Sequence, residues 1–228
     1  MRDSAVQGYI FNFNLGYHIP SGDVGELYGP HMSLGLDIEY KTKSNWLIGG
    51  GVDYLFGTNV KNAEALLGDF FTEDGNIIGT NGDYVTVKPF MRGWVFQAKV
   101  GKILPLFGPN PNSGLLLQGG VGFIQHKTRL EHDNIVYQLL PPYDKGYDRL
   151  HQGLALSQYI AFYHSGNRRR VNFTAGFHFM QGFTNNVREY NYHTRSYDLD
   201  NKLDLYFGIK ASWFLPIYDK HAQKYYYY

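Results

Sequence analysis

Carboxylates and lysines recur at alternate positions in several short segments of this 228-residue chain. Asp37 and Glu39 are two residues apart, so an extended strand would place both side chains on one face. Two neighbouring carboxylates can act as a general acid and a general base. Inside a protein they can instead form ion pairs with lysines, which compensates both charges for the loss of water. The candidates for one shared interior face are Asp37, Glu39, Asp53, Lys99, His178, Asp204 and Lys210, with Arg92 as a further partner.

A candidate nucleophile and base follow one another in the segment FYHSGN, residues 162–167. A catalytic serine needs a base within hydrogen-bonding reach. Adjacent residues of a strand point to opposite sides, so His164 would not reach the hydroxyl of Ser165. Serine, glycine and asparagine are also frequent in turns. We therefore predict a turn here, and a protein that is not an enzyme.

Several histidines lie near acidic residues, but their spacing does not favour a metal site. A zinc site needs three or four converging ligands, and close spacings such as H-x-x-x-H do not occur in the sequence. Cysteine is absent, which excludes thiolate ligands and disulfides. We expect neither a metal nor another cofactor. The residues considered are His126, Glu131, His132, Asp133, His178 and His193.

The composition is poor in charge and rich in aromatic rings. Charged residues make up 18% and aromatic residues 17% of the sequence, whereas a soluble domain carries about a quarter charged residues. The net charge of +1 gives no attraction toward nucleic acid, so we expect no such partner. No apolar run reaches the roughly 18 residues of a membrane helix.

Alternation of apolar and polar residues recurs along the chain and is typical of strands with two different faces. In residues 31–57, for example, Leu34 and Leu36 fall on one parity, while Gly35 and Asp37 fall on the other. The pattern predicts eight strands, at about residues 8–18, two within 31–57, and 90–104, 115–127, 149–163, 171–183 and 202–214.

The connections between these strands alternate in length, which is typical of transmembrane barrels with long outer loops and tight periplasmic turns. The long connections are residues 19–31, 57–89, 128–148 and 184–201, and the short ones are KTKSN, PLFGPNPNSG and HSGNRRR. We predict an all-β fold, an eight-stranded antiparallel up-and-down transmembrane β-barrel with long extracellular loops and short periplasmic turns, at residues 1–215. Residues 216–228 would form a periplasmic tail.

The apolar parity of each strand is predicted to face lipid, because Tyr and Trp cluster near strand ends as interfacial anchors do. The other parity carries glycine and the ionisable residues named above, which would fill a closed lumen. A soluble ligand-binding barrel is the alternative. It would require the opposite orientation, and 16 Phe and 20 Tyr would overfill so small an interior.

This architecture resembles the small outer-membrane barrels of the OmpA-transmembrane-domain and OmpX type. The segments GPNPNSGLLLQGGVGF, YDKGYDRLHQGLAL and IKASWFLPIYDKHAQKYYYY resemble small barrels of Bacteroidota. The resemblance implies a bacterial outer-membrane location with both termini periplasmic. It also implies an accessory role in a larger outer-membrane machine, either outer-membrane protein assembly or type IX secretion.

Apolar residues in the predicted loops and tail are candidates for binding a protein partner, since such patches rarely remain in water uncovered. Besides outer-membrane lipids, we therefore expect other outer-membrane or periplasmic proteins as partners. An enzyme acting on outer-leaflet lipid and an adhesin or receptor acting through its loops are the alternatives. The candidate residues are Leu66, Leu67, Phe70, Phe71, Leu139, Leu140, Tyr225, Tyr226, Tyr227 and Tyr228, and the basic run 168–170 is predicted to lie in a periplasmic turn.

Overall fold

Eight long antiparallel strands make up most of the chain in the computed structural model, which describes residues 5–166 and 171–218. Consecutive strands pair with each other, and the first pairs with the last, so the sheet closes into an up-and-down barrel. This confirms the predicted fold class. The strands are β1 (Gly8–Ser21), β2 (His31–Lys41), β3 (Trp46–Gly57), β4 (Val87–Leu104), β5 (Gly114–His132), β6 (His151–Ser165), β7 (Asn172–Asn186) and β8 (Lys202–Tyr218).

The two ends of the barrel differ in the length of their connections, as the sequence predicts. Three short connections join the strands at one end, called the turn end, where β1 also begins and β8 ends. Four connections join them at the opposite end, called the loop end. Three of these are long, and the fourth, residues 22–30, equals the longest turn-end connection in length. The turn end has residues 42–45, residues 105–113 and the link between Ser165 and Asn172, and the loop end has residues 22–30, 58–86, 133–150 and 187–201.

The last strand is longer than predicted. β8 continues beyond Leu215 to Tyr218, whose backbone lies opposite that of Gly8. The backbone of β1 needs a hydrogen-bonding partner at its first residues, and the end of β8 provides it. Residues 216–218 therefore belong to the barrel. The rest of the predicted tail, with Tyr225, Tyr226, Tyr227 and Tyr228, and the basic run 168–170 lie outside the described residues.

The outer wall of the barrel is apolar, so the apolar parity of the strands faces outward as predicted. Leu36, Ile38 and Ile48 are each more than half exposed, although they lie in the middle of paired strands. An exposed apolar surface of this extent is not stable in water, whereas hydrocarbon would cover it. Barrel closure also pairs the backbone groups of every strand, which a lipid environment requires. The wall therefore has the character of a membrane-spanning barrel.

The loop end is folded rather than open. A short helix, α1 (Gly22–Leu27), turns into the mouth of the barrel and buries Val24 and Tyr28. The connection from β3 to β4 contains a second short helix, α2 (Ala63–Leu66). None of the helices among the described residues is long and apolar enough to cross a membrane.

The interior is layered, which the parity argument did not predict. A polar middle layer lies between two apolar layers, because some inward positions carry large apolar side chains instead of glycine or polar groups. Eight strands enclose a lumen narrow enough for side chains to fill. The turn-end layer comprises Ile10, Leu47, Ile103, Leu116, Tyr159, Ala161, Tyr163 and Phe214. The loop-end layer comprises Val24, Tyr28, Leu55, Val60, Met91, Val95, Ile124, Ala155, Met180 and Tyr206.

The connection from β4 to β5 closes the turn end. Oδ1 of Asn112 accepts hydrogen bonds from the backbone N–H of Val6 and from Nζ of Lys41, both at 2.9 Å. Nδ2 of Asn110 donates to the backbone carbonyl of Ser165 at 2.8 Å. These bonds hold the turn across the barrel opening.

A charged side chain on the outer wall should disrupt the barrel if the wall contacts lipid. We expect Leu36→Arg to lower the free energy of unfolding by about 2–4 kcal/mol in phospholipid vesicles. Urea unfolding followed by intrinsic fluorescence measures this. Leu199→Arg is the matched control, because Leu199 is similarly exposed but lies in the loop between β7 and β8. Equal stability of both variants would contradict the lipid-facing assignment.

Candidate functional site

Two lysines and two aspartates form a buried ion cluster in the middle of the barrel, called the central ion cluster. Nζ of Lys99 lies 2.7 Å from Oδ1 of Asp37 and 3.8 Å from Oδ2 of Asp53. Nζ of Lys210 donates to both carboxylate oxygens of Asp53 at 3.1 Å. The four side chains come from β2, β3, β4 and β8, so strand closure alone brings them together. Opposite charges alternate, which compensates their burial.

Neighbouring amides hold the carboxylates in place. Nδ2 of Asn14 donates to Oδ2 of Asp37 at 2.8 Å, and Nδ2 of Asn12 donates to Oε2 of Glu39 at 2.8 Å. Gln118 donates to the second oxygen of Glu39 through a short hydrogen bond. Each carboxylate oxygen named here therefore has a donor, which is the condition for keeping such groups inside a protein.

Two glycines make room for the aspartates. A Cβ atom at Gly51 would collide with Oδ1 of Asp37, and one at Gly35 would collide with Oδ1 of Asp53. Both glycines lie directly opposite these aspartates in the β2–β3 register. Glycine is required at these positions because the side chains cross the lumen immediately above its backbone.

The structure places most of the predicted interior residues in this layer; the exceptions are Asp204 and Arg92. His178 lies beside Lys210 and Asp53, as the lining of a small common cavity shows. Asp204 lies instead in the loop-end half, where Oδ2 is 2.8 Å from Nε2 of His126 and accepts from Thr184 at 2.7 Å.

Arg92 was wrongly predicted to face the interior. It has the same parity as Trp94 in β4, and both side chains lie on the outer wall, where the ring of Trp94 is nearly half exposed. Side chains two residues apart in a strand share a face, so the exposed tryptophan fixes the orientation of the arginine. The sequence already contained this signal in the alternation of β4.

Histidines form a second polar layer toward the loop end that sequence analysis did not recognise as a group. The rings of His126 and His151 stack at 5.3 Å, and the ring of His18 lies 5.5 Å from those of His31 and His178. The residues come from five different strands, so their spacing along the chain gives no sign that they meet.

A serine–histidine pair occurs in this layer without the features of a catalytic site. Nε2 of His18 is 2.9 Å from Oγ of Ser33, and both side chains are buried. Nδ1 of His18 has no hydrogen-bond partner among the described residues, so nothing there orients the ring as a catalytic base requires. At the turn end, His164 contacts the outward ring of Phe162 while Ser165 is buried, which places them on opposite faces as predicted.

Little free space remains inside the barrel. The cavity beside the central ion cluster has a volume of ≈ 20 Å³, and a neighbouring cavity beside His178 has ≈ 10 Å³. Such volumes hold about one water molecule each. In the part of the chain that the structure describes, no group of three or more His, Cys, Asp or Glu side chains is arranged to hold a metal ion. Among the described residues, the lumen therefore leaves no room for a substrate or a continuous pore.

The apolar residues of the long loops pack mainly against each other, which corrects the prediction that they are free to bind a partner. Leu66, Leu67 and Leu139 are buried, because the β3–β4 and β5–β6 connections fold together over the barrel mouth. Phe70 and Leu140 are half-buried, and Phe71 remains exposed. The core of this loop cap consists of Leu67, Ile77, Val85, Val136 and Leu139.

Tyrosines of two loops form an exposed aromatic surface, here called the tyrosine crest. Tyr137 and Tyr143 come from the β5–β6 connection, and their ring centroids are 6.0 Å apart. Tyr192, from the β7–β8 connection, joins them around a groove of ≈ 160 Å³. Tyr147, Tyr190 and Tyr197 continue the surface through ring contacts with Tyr192 and with each other. Sequence analysis overlooked these residues, since tyrosines scattered over two loops form no local pattern.

A polar pocket of ≈ 230 Å³ lies beside α1 at the barrel mouth, and several of its charged side chains have partners within the protein. A guanidinium nitrogen of Arg149 lies 2.6 Å from Nε2 of His193. Burial and the positive charge of Arg149 lower the pKa of His193 to about 4. Nζ of Lys202 lies 3.0 Å from a carboxylate oxygen of Asp198. Burial opposes ionisation of Asp198, but the hydrogen bond and charge of Lys202 prevail and lower its pKa.

Comparison with protein-family models finds no match, and comparison with curated protein sequences finds none either. Among solved structures, the chain is similar to Ail, the attachment invasion locus protein of Yersinia pestis, with 10% identity over 92% of this chain and 99% of that one, at a TM-score of 0.48. It is also similar to neisserial surface protein A, with 10% identity over 90% and 96% of the two chains and a TM-score of 0.47.

A third similar structure is the outer-membrane protein OprG of Pseudomonas aeruginosa. The identity is 12% over 94% of this chain and 98% of that one, and the TM-score is 0.33. At these scores the similarities carry no argument about function. The function must therefore be argued from the residues of this chain.

The glycines beside the central ion cluster should tolerate no side chain. We expect Gly51→Ala to lower the free energy of unfolding by about 1–3 kcal/mol, because the methyl group displaces Asp37 and overpacks the lumen. Gly119→Ala is the control, since the nearest atom to its added Cβ would be 3.9 Å away. Urea titration in detergent micelles compares the two, and an unchanged midpoint for Gly51→Ala would count against the packing described here.

Removing one charge from the central ion cluster should be costly. We expect Asp53→Asn to destabilise the barrel by about 3–5 kcal/mol, since Lys210 keeps its buried charge without its carboxylate. Asp69→Asn removes one partner of an exposed ion pair with Arg195 and should cost less than about 1 kcal/mol. Adding Lys210→Met to Asp53→Asn should recover part of the loss. Similar costs for the Asp53 and Asp69 variants would refute a buried pair.

Proposed function

We propose that this protein is an integral outer-membrane β-barrel without catalytic activity that serves as an accessory subunit of a multi-protein outer-membrane machine. The turn end, where β1 begins and β8 ends, would face the periplasm, and the loop end would face outward. The observation that carries the proposal is the combination of a filled lumen with an exposed tyrosine crest. A barrel that neither conducts nor encloses a substrate acts through its outer surfaces.

The filled lumen supports this proposal by removing the commonest alternatives. The central ion cluster spans the barrel, and the cavities beside it hold about one water molecule each. A channel needs a continuous water-filled path, and larger barrels than this one provide it. An enzyme acting on outer-leaflet lipid needs a nucleophile or base on the outer wall, and neither His18 with Ser33 nor His164 with Ser165 meets that requirement.

The tyrosine crest has the chemistry of a protein-binding surface. Tyr137 is 61% exposed and Tyr197 is 72% exposed, while their neighbours in the crest partly support them through ring contacts. Tyrosine contributes a large, rigid contact area and a hydrogen-bonding hydroxyl at low cost in side-chain entropy. Aromatic residues of this kind are enriched at binding hot spots. A protein partner beside or above the loop end would cover them.

Outer-membrane protein assembly and type IX secretion are the two machines that we propose as settings for this subunit. In both, a small structural barrel could join a larger membrane component through its loops and wall. An adhesin or receptor is the second candidate, because the same crest could contact a molecule outside the cell. The accessory subunit and the receptor differ in where their partner resides, and purification from native membranes distinguishes them.

A subunit should copurify with its partner, and this copurification should require the tyrosine crest. We expect the wild-type chain to bring down a defined membrane protein from native membranes in mild detergent. The Tyr137→Ser/Tyr143→Ser variant should lose it, since each hot-spot tyrosine contributes about 2 kcal/mol. Quantitative mass spectrometry of the purified complexes measures the loss.

Tyr84→Ser is the matched control for this experiment. Tyr84 is 76% exposed and lies in the β3–β4 connection, away from the ring contacts of the crest. This variant should retain the partner. A strictly monomeric wild-type species would oppose the accessory role, and binding to a soluble or host-derived molecule through the same tyrosines would favour the receptor instead.

A further inference from the structure

A pocket of ≈ 530 Å³ lies on the outside of the barrel wall near the loop end, and it is here called the wall pocket. Its floor includes outward residues of β3, β4 and β5. Tyr54 and Trp94 lie on the membrane side, with ring centroids 4.7 Å apart. Rings of this kind mark the boundary between hydrocarbon and headgroups. The pocket therefore lies at the level of lipid headgroups.

Three cations converge on this pocket in an arrangement that is unfavourable by itself. Arg92 and Lys127 lie directly opposite each other on the outer face of the β4–β5 pair, and Arg129 is the next outward residue of β5. Like charges placed directly opposite destabilise a strand pair. An anion bound between them would turn this repulsion into attraction, since each cation could donate a charge-assisted hydrogen bond.

The protein itself neutralises these cations only partly. Glu131 lies 3.8 Å from Arg92 and 3.4 Å from Arg129, and the side chain of Arg129 is 60% exposed. One carboxylate is thus shared by two guanidinium groups at long distances. Lys127 forms no ion pair within residues 5–166 and 171–218. The pocket retains unsatisfied positive charge at the level of headgroup phosphates.

An acceptor on the opposite side of the pocket lacks a donor. Asp144, from the β5–β6 connection, lines the pocket, and its Oδ1 is buried without a hydrogen-bond partner in the described chain. The neighbouring Asp148 is already engaged by Arg188 through bonds of 3.0 and 2.7 Å. A buried acceptor without a donor is costly, so a ligand hydroxyl would be favoured at Asp144.

We infer that the wall pocket binds the phosphorylated sugar headgroup of an outer-leaflet glycolipid, an inference that rests on the proposed outer-membrane location. The phosphate contacts Arg92, Lys127 and Arg129, a sugar hydroxyl donates to Asp144, and the acyl chains descend along Trp94 and the apolar wall. A simple anionic phospholipid satisfies the cations, but its headgroup lacks a sugar ring to reach the carboxylate.

Fluorescence of Trp94 provides a direct test, because this residue lines the pocket while Trp46 and Trp213 lie toward the turn end. The Trp46→Phe/Trp213→Phe chain, folded in zwitterionic detergent micelles, is titrated with diphosphoryl lipid A. We expect a saturable change in Trp94 emission and one bound lipid per barrel by native mass spectrometry. Lys127→Gln/Arg129→Gln should weaken binding at least about tenfold, because two charged hydrogen bonds are lost.

Lys102→Gln is the matched control, since Lys102 lies 4.7 Å from the ring of Trp46 near the turn end, outside the wall pocket. It should leave lipid binding unchanged.

Asp144→Asn should reduce the preference for lipid A over phosphatidylglycerol. Equal binding by the Lys127→Gln/Arg129→Gln and Lys102→Gln variants would overturn the inference, as would equal affinity for phosphatidylglycerol or displacement of the lipid by inorganic phosphate at similar concentration. None of these variants alters the tyrosine crest, so the copurification experiment reports separately on the proposed function.

Discussion

The need to fill and neutralise a narrow closed lumen governs the rest of this structure. Eight strands leave an interior that side chains occupy completely, and every charge placed there must meet an opposite charge or a hydrogen-bond partner. The chain meets this condition with Lys99, Lys210, Asp37 and Asp53, supported by asparagine and glutamine amides. Apolar layers on both sides separate this central ion cluster from the two ends of the barrel.

The filled interior decides where function can reside. Cavities of ≈ 20 and ≈ 10 Å³ admit neither substrate nor ion flow, so recognition is left to the loops and the outer wall. The loops are themselves consolidated, because Leu67 and Leu139 pack into the core of a loop cap. The accessible surfaces include the tyrosine crest at the loop end and the wall pocket near it.

These two surfaces suit different partners for physical reasons. The tyrosine crest offers rigid amphipathic area in an aqueous setting, where protein partners bind. The wall pocket combines cations with rings at the edge of an apolar surface. Arg92 and Lys127 face each other across the β4–β5 pair, and Glu131 is a counter-charge 3.8 Å from Arg92. Clustered cations beside an exposed apolar wall fit an anionic amphiphile, whose charged and apolar parts match the two parts of the surface.

The sequence by itself determined the eight strands, their two faces and the alternation of short and long connections. Side-chain alternation is a local property of a strand, and lipid on one side with a lumen on the other imposes it along the whole segment. The same alternation identified Asp37, Asp53, Lys99 and Lys210 as inward residues. Where alternation was not followed, as for Arg92, the prediction failed.

Only the tertiary structure decided which residues meet. Closure of the barrel brings lysines and aspartates from four strands into contact. Asp204 lies apart from them and contacts His126 instead. Five histidines that are far apart in sequence also lie close together. Burial of Leu67 and the exposure of Tyr137 likewise depend on how two long loops pack together. Pairing across a closed sheet depends on register and strand order, and loop packing depends on contacts between distant segments, neither of which a local pattern encodes.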